Sequence, residues 1–303
     1  MWPGGSACRR IWAVDEPNVD GRPSVSGETR LAAVIGDPVR HSLSPCLMNA
    51  AFAETGLDWT FVAMEVPEGR ASGALEEMRA LGLGGLSVTM PHKAAVASGV
   101  DDLTPVAAAL GAVNCVAPDG DRLVGHNTDG AGFLDGLRHD AGFDVAGRRA
   151  VVLGAGGAAR AVVHALGLAG AVEVAVANRT AERAVTAAEL AGAAGRALEP
   201  SSLREAVAGA DLVVNATPVG MAGSGAGHPV DPDLVANGAV VVDLIYHPAE
   251  TVWLAALRGR GIEAHNGLSM LVFQAAHAFT LWTGLEAPVA AMDAAARAVL
   301  ARR

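Results

Sequence analysis

The chain has 303 residues, of which 51% are hydrophobic, and this size favours two folded domains over one. Its formal net charge is −10 and it has no run of basic residues, so a nucleic-acid-binding surface is not expected. Its 3 cysteines are scattered and no apolar run reaches the roughly 18 residues of a membrane span, which argues against a disulfide framework, a cysteine metal site and a membrane protein. The sequence therefore predicts a cytoplasmic protein with no metal, nucleic-acid or membrane partner.

The first 30 residues do not read as part of a folded domain. They are dominated by Pro, Gly, Ser and charged residues. Arg9 and Arg10 could open an export signal, but the apolar stretch after them ends at once at Asp15. We therefore interpret residues 1–30 as a disordered extension.

Apolar and helical segments alternate from residue 31 onward. Strands are predicted over 31–36, 59–66 and 85–90, and helices over 44–56, 68–82 and 91–99. Ser44 is the predicted N-cap of the first helix, Pro45 suits its first turn and Gly56 can end it. The alternation implies a mainly parallel sheet of an α/β domain.

A sharper pattern begins at residue 148. Strand, glycine turn and helix follow one another over 148–170, and a second such unit covers 172–191. Two more apolar strands lie within 210–221 and 238–248, and four strand signals in about a hundred residues predict a doubly wound nucleotide-binding domain. The stretches 267–284 and 287–303 are predicted to be two helices.

A dinucleotide fingerprint lies in the first of these units. Gly154, Gly156 and Ala159 form G-x-G-x-x-A between a strand and a helix. The first glycine permits the tight turn, the second lets a pyrophosphate approach the backbone, and the alanine lets the helix pack closely on the strand. An ordinary turn in a glycine-rich chain is the alternative, but the strand before and the helix after it favour cofactor binding.

The end of the second strand indicates which dinucleotide is bound. An acidic residue there would bind the ribose 2′-hydroxyl of NAD, whereas this chain has Asn178, Arg179 and Thr180, with Arg183 one turn on. Guanidinium groups suit a phosphate, so NADP is expected. The alternative is that both arginines are solvated charges at a helix start and that Glu182 or Glu173 contacts the ribose.

Polar residues follow the apolar stretches of the first half. They include hydroxyls, amides, an acid and Lys93, which is the only lysine of the chain, and they suit a small, polyhydroxylated, anionic ligand. Each has a plainer explanation as a cap, a turn or a loop contact. The residues are Ser42, Ser44, Thr89, Lys93, Asn114, Asn127 and Asp129. We interpret His41, His92 and His126 as surface residues or as supports that do not touch a ligand.

Taken in order, these stretches resemble shikimate dehydrogenase over nearly the whole chain from Leu31 onward. The matching motifs are SLSP, VTMPHK, GAVN, NTDG, GAGGAAR, NRT, NATPVGM, DLIYHP and NGLSML. The family reduces 3-dehydroshikimate to shikimate with NADPH in the biosynthesis of aromatic amino acids. The resemblance implies an N-terminal substrate domain over 31–129 plus 267–303 and a Rossmann-like NADP domain over 130–266. Its C-terminal helices would return to the first domain.

The resemblance also implies a role for particular residues. Lys93 and Asp129 resemble the catalytic pair, in which the ammonium donates a proton to the alkoxide formed from a ring ketone. Substrate contacts are implied for Ser42, Ser44, Thr89, Asn114, Asp129, Tyr246 and Gln274. Cofactor contacts are implied for Gly154, Ala155, Gly156, Gly157, Ala158, Asn178, Arg179, Thr180, Arg183, Thr217, Leu244 and Gly267.

Two departures and two alternatives accompany this interpretation. Many members of the family have Asn where this chain has Ser87 and Thr where it has Cys115. A quinate or aminoshikimate-type dehydrogenase, linked to NAD or NADP, is one alternative; a bulkier Thr in place of Ser44 and an acid in place of Arg179 would have favoured it. An NADP-binding sensor is the non-enzyme alternative, and the intact Lys93–Asp129 pair argues against it. A monomer or a homodimer is expected.

Overall fold

The structure is a computed structural model that describes residues 25–224 and 227–302. The predicted disordered extension therefore lies mostly outside the described residues. Residues 25–29 lead into the first strand through a turn in which Thr29 N–H donates to Ser26 O. No helix in the described part is long and apolar enough to cross a membrane.

The first half of the chain builds a six-stranded sheet. Its strands are β1 (Arg30–Gly36), β2 (Trp59–Glu65), β3 (Gly85–Val88), β4 (Asp102–Leu103), β5 (Cys115–Asp119) and β6 (Arg122–His126). Its helices are α1 (Ser44–Thr55), α2 (Ala71–Leu81), α3 (Lys93–Ala97) and α4 (Pro105–Leu110), and α5 (Asp129–Ala141) leads out of it. The strand order is β2-β1-β3-β5-β6-β4, and only the pairs β3–β5 and β5–β6 are antiparallel, so the mainly parallel sheet is confirmed.

The second half builds another six-stranded sheet. Its strands are β7 (Arg149–Leu153), β8 (Glu173–Ala177), β9 (Gly195–Ala197), β10 (Leu212–Asn215), β11 (Val240–Asp243) and β12 (Glu263–Asn266). Its helices are α6 (Gly157–Leu168), α7 (Ala181–Ala188), α8 (Leu203–Ala208) and α9 (Val252–Gly259). The order β12-β11-β10-β7-β8-β9 is that of a doubly wound Rossmann sheet, and every pair is parallel.

The two C-terminal helices, α10 (Leu268–Thr283) and α11 (Val289–Leu300), return to the first sheet. They share a core with α1, β1 and β2, and Trp282 Nε1 donates to Val116 O of β5 at 3.0 Å. The opposite face of this sheet is covered by α2, α3 and α4. The α/β class and the return of the C-terminal helices are therefore confirmed.

The second sheet is also covered on both faces. Helices α5, α6 and α7 pack on one face, and α8 and α9 pack on the other. Helix α5 lies along α10, and a Cβ on Gly132 of α5 would come within 2.5 Å of Gln274 N of α10. These two helices connect the sheets, and this close approach brings Gln274 to the first turn of α5.

One local prediction is wrong. Ser44 does not cap α1: the N-cap position is Leu43, and Ser44 is the first helical residue. The hydroxyl of Ser42 instead accepts a hydrogen bond from Ser44 N–H at 3.2 Å, because the chain makes a turn before the helix that brings position 42 over its start. Gly56 ends α1 with φ +68°, as predicted.

Candidate functional site

A cleft of about 220 Å³ lies between the two sheets. Its walls come from the C-terminal ends of β1 and β3, the first turns of α3 and α5, one face of α10, and the segment after β11. All of the predicted catalytic and substrate residues line it, namely Ser42, Ser44, Thr89, Lys93, Asn114, Asp129, Tyr246 and Gln274. Parallel strands end on the same edge of a sheet, and this brings residues from distant parts of the sequence together.

Lys93 and Asp129 form an ion pair inside the cleft. Nζ of Lys93 lies 2.5 Å from Oδ2 of Asp129. The lysine side chain keeps 26% of its exposure and the aspartate 9%, so the ammonium faces the cleft while the carboxylate lies behind it. This arrangement leaves the lysine able to reach a ligand, with its charge balanced from the protein side.

Asn114 holds the other oxygen of the same carboxylate. Its Nδ2 donates to Oδ1 of Asp129 at 2.7 Å, and its Oδ1 accepts from the backbone N–H of Thr128 at 2.8 Å. Nδ2 also lies 3.5 Å from Oε1 of Gln274. The side-chain amide of Asn114 therefore links the start of α5 to α10 through hydrogen bonds.

The turn before α5 fixes Asp129 from its own side. Oδ1 of Asn127 accepts from Asp129 N–H at 3.1 Å, and its Nδ2 donates to Ala112 O at 3.0 Å. Asn127 thus makes a turn, which was the plainer of its two predicted roles. Thr128, which sequence reasoning missed, is buried and donates from its hydroxyl to Gln274 O at 3.0 Å. In the sequence, only its position between the polar residues Asn127 and Asp129 points to Thr128.

Two serine hydroxyls lie at another wall of the cleft. The Oγ atoms of Ser42 and Ser44 are 3.2 Å apart, and Thr89 and Tyr246 line the same cleft. Tyr246 follows β11 of the second sheet, yet it packs against the core of the first. Hydroxyl groups from both halves of the chain therefore meet at one cavity.

The three histidines that lie next to the predicted site residues in the sequence, His41, His92 and His126, differ in their burial. His41 is exposed and lines the cleft, whereas His92 is only 1% exposed and its Nε2 lies 2.7 Å from Val66 O, which fixes the residue before Lys93. His126 is half-buried, and burial lowers its pKa. The interpretation as a support fits His92. The apolar lining residues Met270 and Leu271 of α10 were missed because a helix face carries no sign of what it lines.

The predicted cofactor turn has the required geometry. Gly154 has φ +110°, and a Cβ there would lie 2.8 Å from Ala216 O, so only glycine fits. A Cβ at Gly156 or Gly157 would meet nothing within 4 Å, so the N-terminus of the 12-residue helix α6 is open to a phosphate. The turn follows β7 in the chain and lies beside β10, the neighbouring strand of the sheet. The strand order reverses between these two strands, and ligands bind at such a point in doubly wound sheets.

The remaining predicted cofactor residues lie at the same edge of the second sheet. Thr217 follows β10, and Leu244, Gly267 and Ala158 line the cleft itself. Nδ2 of Asn178 donates to Thr180 O at 3.0 Å, which forms the turn after β8. The open glycine turn and these positions fit a dinucleotide that runs from the end of β8 to the cleft.

Arg179 and Arg183 are exposed beside that turn. Within 25–224 and 227–302, neither guanidinium has a hydrogen-bond or ion-pair partner, so both are available to an anion. Glu173 lies at the opposite end of β8, where it accepts from Nε of Arg196 at 2.7 Å. Glu173 therefore lies at the edge of the sheet opposite to the glycine turn, which does not support the alternative in which it contacts the ribose. No cluster of His, Cys, Asp or Glu suited to a metal occurs among the described residues.

Comparisons with known proteins agree with this geometry. A family model described as the shikimate dehydrogenase substrate binding domain matches residues 34–116. Models described as shikimate / quinate 5-dehydrogenase and as the shikimate 5′-dehydrogenase C-terminal domain match residues 138–221 and 267–297. The chain is 49% identical to the shikimate dehydrogenase (NADP(+)) of Moorella thermoacetica, over 89% of this chain and 93% of that protein.

Solved structures of similar proteins extend the comparison. The shikimate 5-dehydrogenase of Thermus thermophilus, in complex with NADP(H) and shikimate, has a TM-score of 0.81 and 40% identity, over 89% of this chain and 99% of that one. A quinate dehydrogenase of Corynebacterium glutamicum in complex with NAD has a TM-score of 0.83 but 32% identity, over 89% of this chain and 99% of that one. The fold is thus shared by proteins named as shikimate and as quinate dehydrogenases, which were solved with NADP(H) and with NAD.

Proposed function

The chain belongs to the shikimate dehydrogenase family, and from this we propose that it catalyses the reversible, NADPH-dependent reduction of 3-dehydroshikimate to shikimate. This reaction belongs to the biosynthesis of chorismate and the aromatic amino acids. The observation that carries the proposal is the pairing of Lys93 with Asp129 in a cleft beside an open glycine turn. The chain is accordingly an oxidoreductase that acts on a CH–OH group.

In this proposal the substrate is held mainly by the first half of the chain, together with α10 and the segment after β11. The hydroxyls of Ser42 and Ser44 bind the carboxylate, with Thr89 and Tyr246 beside them. Asn114, Asp129 and Gln274 bind the ring hydroxyls. The hydrogen bonds that join these three residues support the assignment, because they fix donors and acceptors before a ligand arrives.

The proton transfer is assigned to Lys93. NADPH, when bound, supplies the hydride to the ring ketone. The Lys93 ammonium then donates a proton to the oxygen that gains negative charge, and Asp129 orients the ammonium through the 2.5 Å contact. In the reverse direction the neutral amine accepts the proton from the hydroxyl group. Arginine could not do this, since it keeps its proton beyond pH about 12.

NADPH is assigned to the edge of the second sheet. The backbone of Gly154, Ala155, Gly156, Gly157 and Ala158 would hold the pyrophosphate at the start of α6. Arg179 and Arg183 would hold the 2′-phosphate, with Asn178 and Thr180 shaping their turn. Thr217, Leu244 and Gly267 would lie toward the nicotinamide.

We further propose that 31–129 plus 267–303 form the substrate domain and 130–266 the NADP domain. Oligomeric state and cytoplasmic location stay predictions.

A coupled set of assays tests the function. The loss of NADPH absorbance with 3-dehydroshikimate is measured beside the same reaction with NADH, and the reverse reaction is measured with shikimate and with quinate. Turnover of 3-dehydroshikimate with NADPH, and of shikimate with NADP⁺, is expected to exceed that of the other combinations. Faster turnover of quinate with NAD would support the alternative dehydrogenase instead. Binding of NADPH without any turnover would support the sensor.

A further inference from the structure

Asp243 is a buried carboxylate that the proposed reaction does not use. It is 0% exposed, and Asp129 is the other buried acid of the described residues. Asp129 is paired with Lys93, whereas the partners of Asp243 in the described chain are all neutral. They are Nδ2 of Asn215 at 2.9 Å, Ile245 N–H at 3.2 Å and the hydroxyl of Thr251 at 2.8 Å. Burying such a group is costly unless something is gained from its fixed hydrogen bonds.

One arm of this network leads to the loop after β10. Asn215 and Asp243 are neighbours in register at the ends of β10 and β11. Since Nδ2 of Asn215 donates to Asp243, its Oδ1 faces the loop and accepts from both the backbone N–H of Thr217 at 3.0 Å and its hydroxyl at 2.7 Å. Thr217 is one of the residues assigned to the cofactor.

The other arm leads to the loop after β11. Oδ1 of Asp243 accepts from Ile245 N–H, and Ile245 lies between Leu244 and Tyr246, both of which line the cleft. Ile245 O in turn accepts from Gly267 N–H at 3.1 Å. The second oxygen of Asp243 holds Thr251, the N-cap of α9, so this loop is fixed at both of its ends.

We propose that Asp243 is a positioning residue: its carboxylate joins the loop that carries Thr217 to the loop that carries Leu244 and Tyr246, and so sets how cofactor and substrate face each other. This inference rests on the proposed function. Three donors surround two carboxylate oxygens. An alanine would leave Ile245 N–H and the Thr251 hydroxyl without this acceptor, and Nδ2 of Asn215 with only Val219 O at 3.4 Å. The two loops would then no longer be held together by one side chain, whereas the glycine turn after β7 and the arginines after β8 are not hydrogen-bonded to Asp243.

The test compares Asp243→Ala, Asp243→Asn and Leu257→Ala with the wild-type protein. Leu257 is buried in α9 of the same half of the chain, in the core on one face of the second sheet, and it serves as a control for a loss of stability alone. Each variant is measured for its melting temperature, for kcat and KM with shikimate and NADP⁺ or with 3-dehydroshikimate and NADPH, and for its affinity for 2′,5′-ADP, which represents only the adenosine end of the cofactor.

Asp243→Ala is expected to lose about 10²-fold in kcat/KM, the usual effect of a small misplacement of reacting groups, with an unchanged affinity for 2′,5′-ADP. Asp243→Asn keeps an acceptor for Asn215 and Ile245 and should recover most of the activity. Leu257→Ala should lower the melting temperature without this kinetic loss. Asn215→Ala, which cuts only the arm to Thr217, gives a milder test with the same expected direction.

Several results would overturn the inference. Normal kinetics in Asp243→Ala or Asn215→Ala would exclude a positioning role while leaving the proposed function intact. An equal kinetic loss in Leu257→Ala, or a parallel loss of 2′,5′-ADP affinity in Asp243→Ala, would reduce the role of Asp243 to general stability. If the wild-type protein has no turnover with shikimate, the proposed function and this inference both fail.

Discussion

Nζ of Lys93 lies 2.5 Å from Oδ2 of Asp129, so the single lysine of the chain is bound to one of the buried carboxylates of its described part. The chain has 22 Lys plus Arg, so the other 21 are arginines, at positions where a permanent charge is sufficient. A lysine differs from an arginine in that it can give up its proton and take it back during a reaction, whereas an arginine stays protonated. Its place in the cleft is where that difference matters.

Lys93→Arg should therefore keep the fold and the affinity for NADPH but lose on the order of 10²–10⁴ in turnover, the usual share of general acid–base catalysis. The measurement is steady-state kcat, with NADPH affinity and melting temperature determined separately. Near-normal turnover in this variant would show that position 93 supplies only charge.

The partner carboxylate gives a second, coupled prediction. Asp129→Asn should lose turnover comparably, because it removes the charge that orients the ammonium. The double variant Lys93→Arg, Asp129→Asn should lose far less than the product of the two single losses, since the two residues act as a unit. Strictly multiplicative losses in kcat would mean that they act independently.

Arg179→Ala tests the cofactor assignment. Its guanidinium has no partner in the described chain, so a 2′-phosphate would be its principal contact. The KM for NADP should rise roughly ten- to a hundred-fold, as expected for a hydrogen bond to a charged group worth about 1.5–3 kcal/mol. The KM for NAD should change little, and Arg196→Ala, which breaks only an ion pair with Glu173, is the matched control. Equal effects on both cofactors would refute the assignment.

Ser44→Ala is the cleaner test of the substrate carboxylate site, because Ser44 does not cap α1. Loss of a hydroxyl bound to a carboxylate, worth about 1.5–3 kcal/mol, should raise the KM for shikimate roughly ten- to a hundred-fold at an unchanged melting temperature. Ser42→Ala should do the same but also lose the bond from Ser44 N–H, so its melting temperature should fall slightly. Unaltered shikimate kinetics in both variants would exclude the assignment.

Gly154→Ala should damage the cofactor turn itself. Its φ of +110° and the 2.8 Å approach of Ala216 O leave no room for a Cβ. The backbone strain is worth about 1–3 kcal/mol, and the steric clash adds to it. We expect a lower melting temperature and weaker NADPH binding, whereas Gly156→Ala, with open space at its Cβ, should mainly weaken binding. An unchanged melting temperature for Gly154→Ala would contradict the geometry.

Asp101 predicts a dependence of stability on pH. The N–H of Leu123, at 2.7 Å, and then Arg79 lower the pKa of this carboxyl. The folded protein therefore binds fewer protons here than the unfolded chain, whose Asp pKa is about 3.9, and the stabilisation is full above that value and is lost as the pH falls below it. Asp101→Asn should have a lower melting temperature than the wild type at neutral pH. The difference in melting temperature between the two proteins should be smaller in acid. An equal difference at both pH values would contradict this.

The sequence indicated the strands and helices with strong periodicity and left out those without it. The second sheet was predicted from four strands. Its outer strands β9 and β12 were missed because their sequences, GRA and EAHN, contain no run of apolar residues. The hairpin of β5 and β6 was missed as well, since its residues 115–126 mix Pro, Asp and Gly with short apolar runs.

The candidate site was predicted residue by residue, but its connections were not. Motif order indicated Lys93, Asn114 and Asp129, because the chemistry needs those side chains. Nothing local indicated that Asn114 would hold Asp129 and touch Gln274, which lies 160 positions further along the chain. That juxtaposition depends on the packing of α10 along α5, and a single sequence does not state which helices pack together.

The return of α10 and α11 to the first sheet also bears on the order in which the chain becomes structured during synthesis. The core between α1 and β1 includes Leu268, Phe279, Trp282 and Met292, so residues 30–126, which are synthesised before these four, cannot complete that core alone. The cores of the second sheet consist almost wholly of residues between 133 and 264. The middle of the chain can therefore consolidate first, in contrast to the N-terminal-first order common among multidomain proteins, and residues 30–126 wait with one apolar face exposed until the last helices emerge.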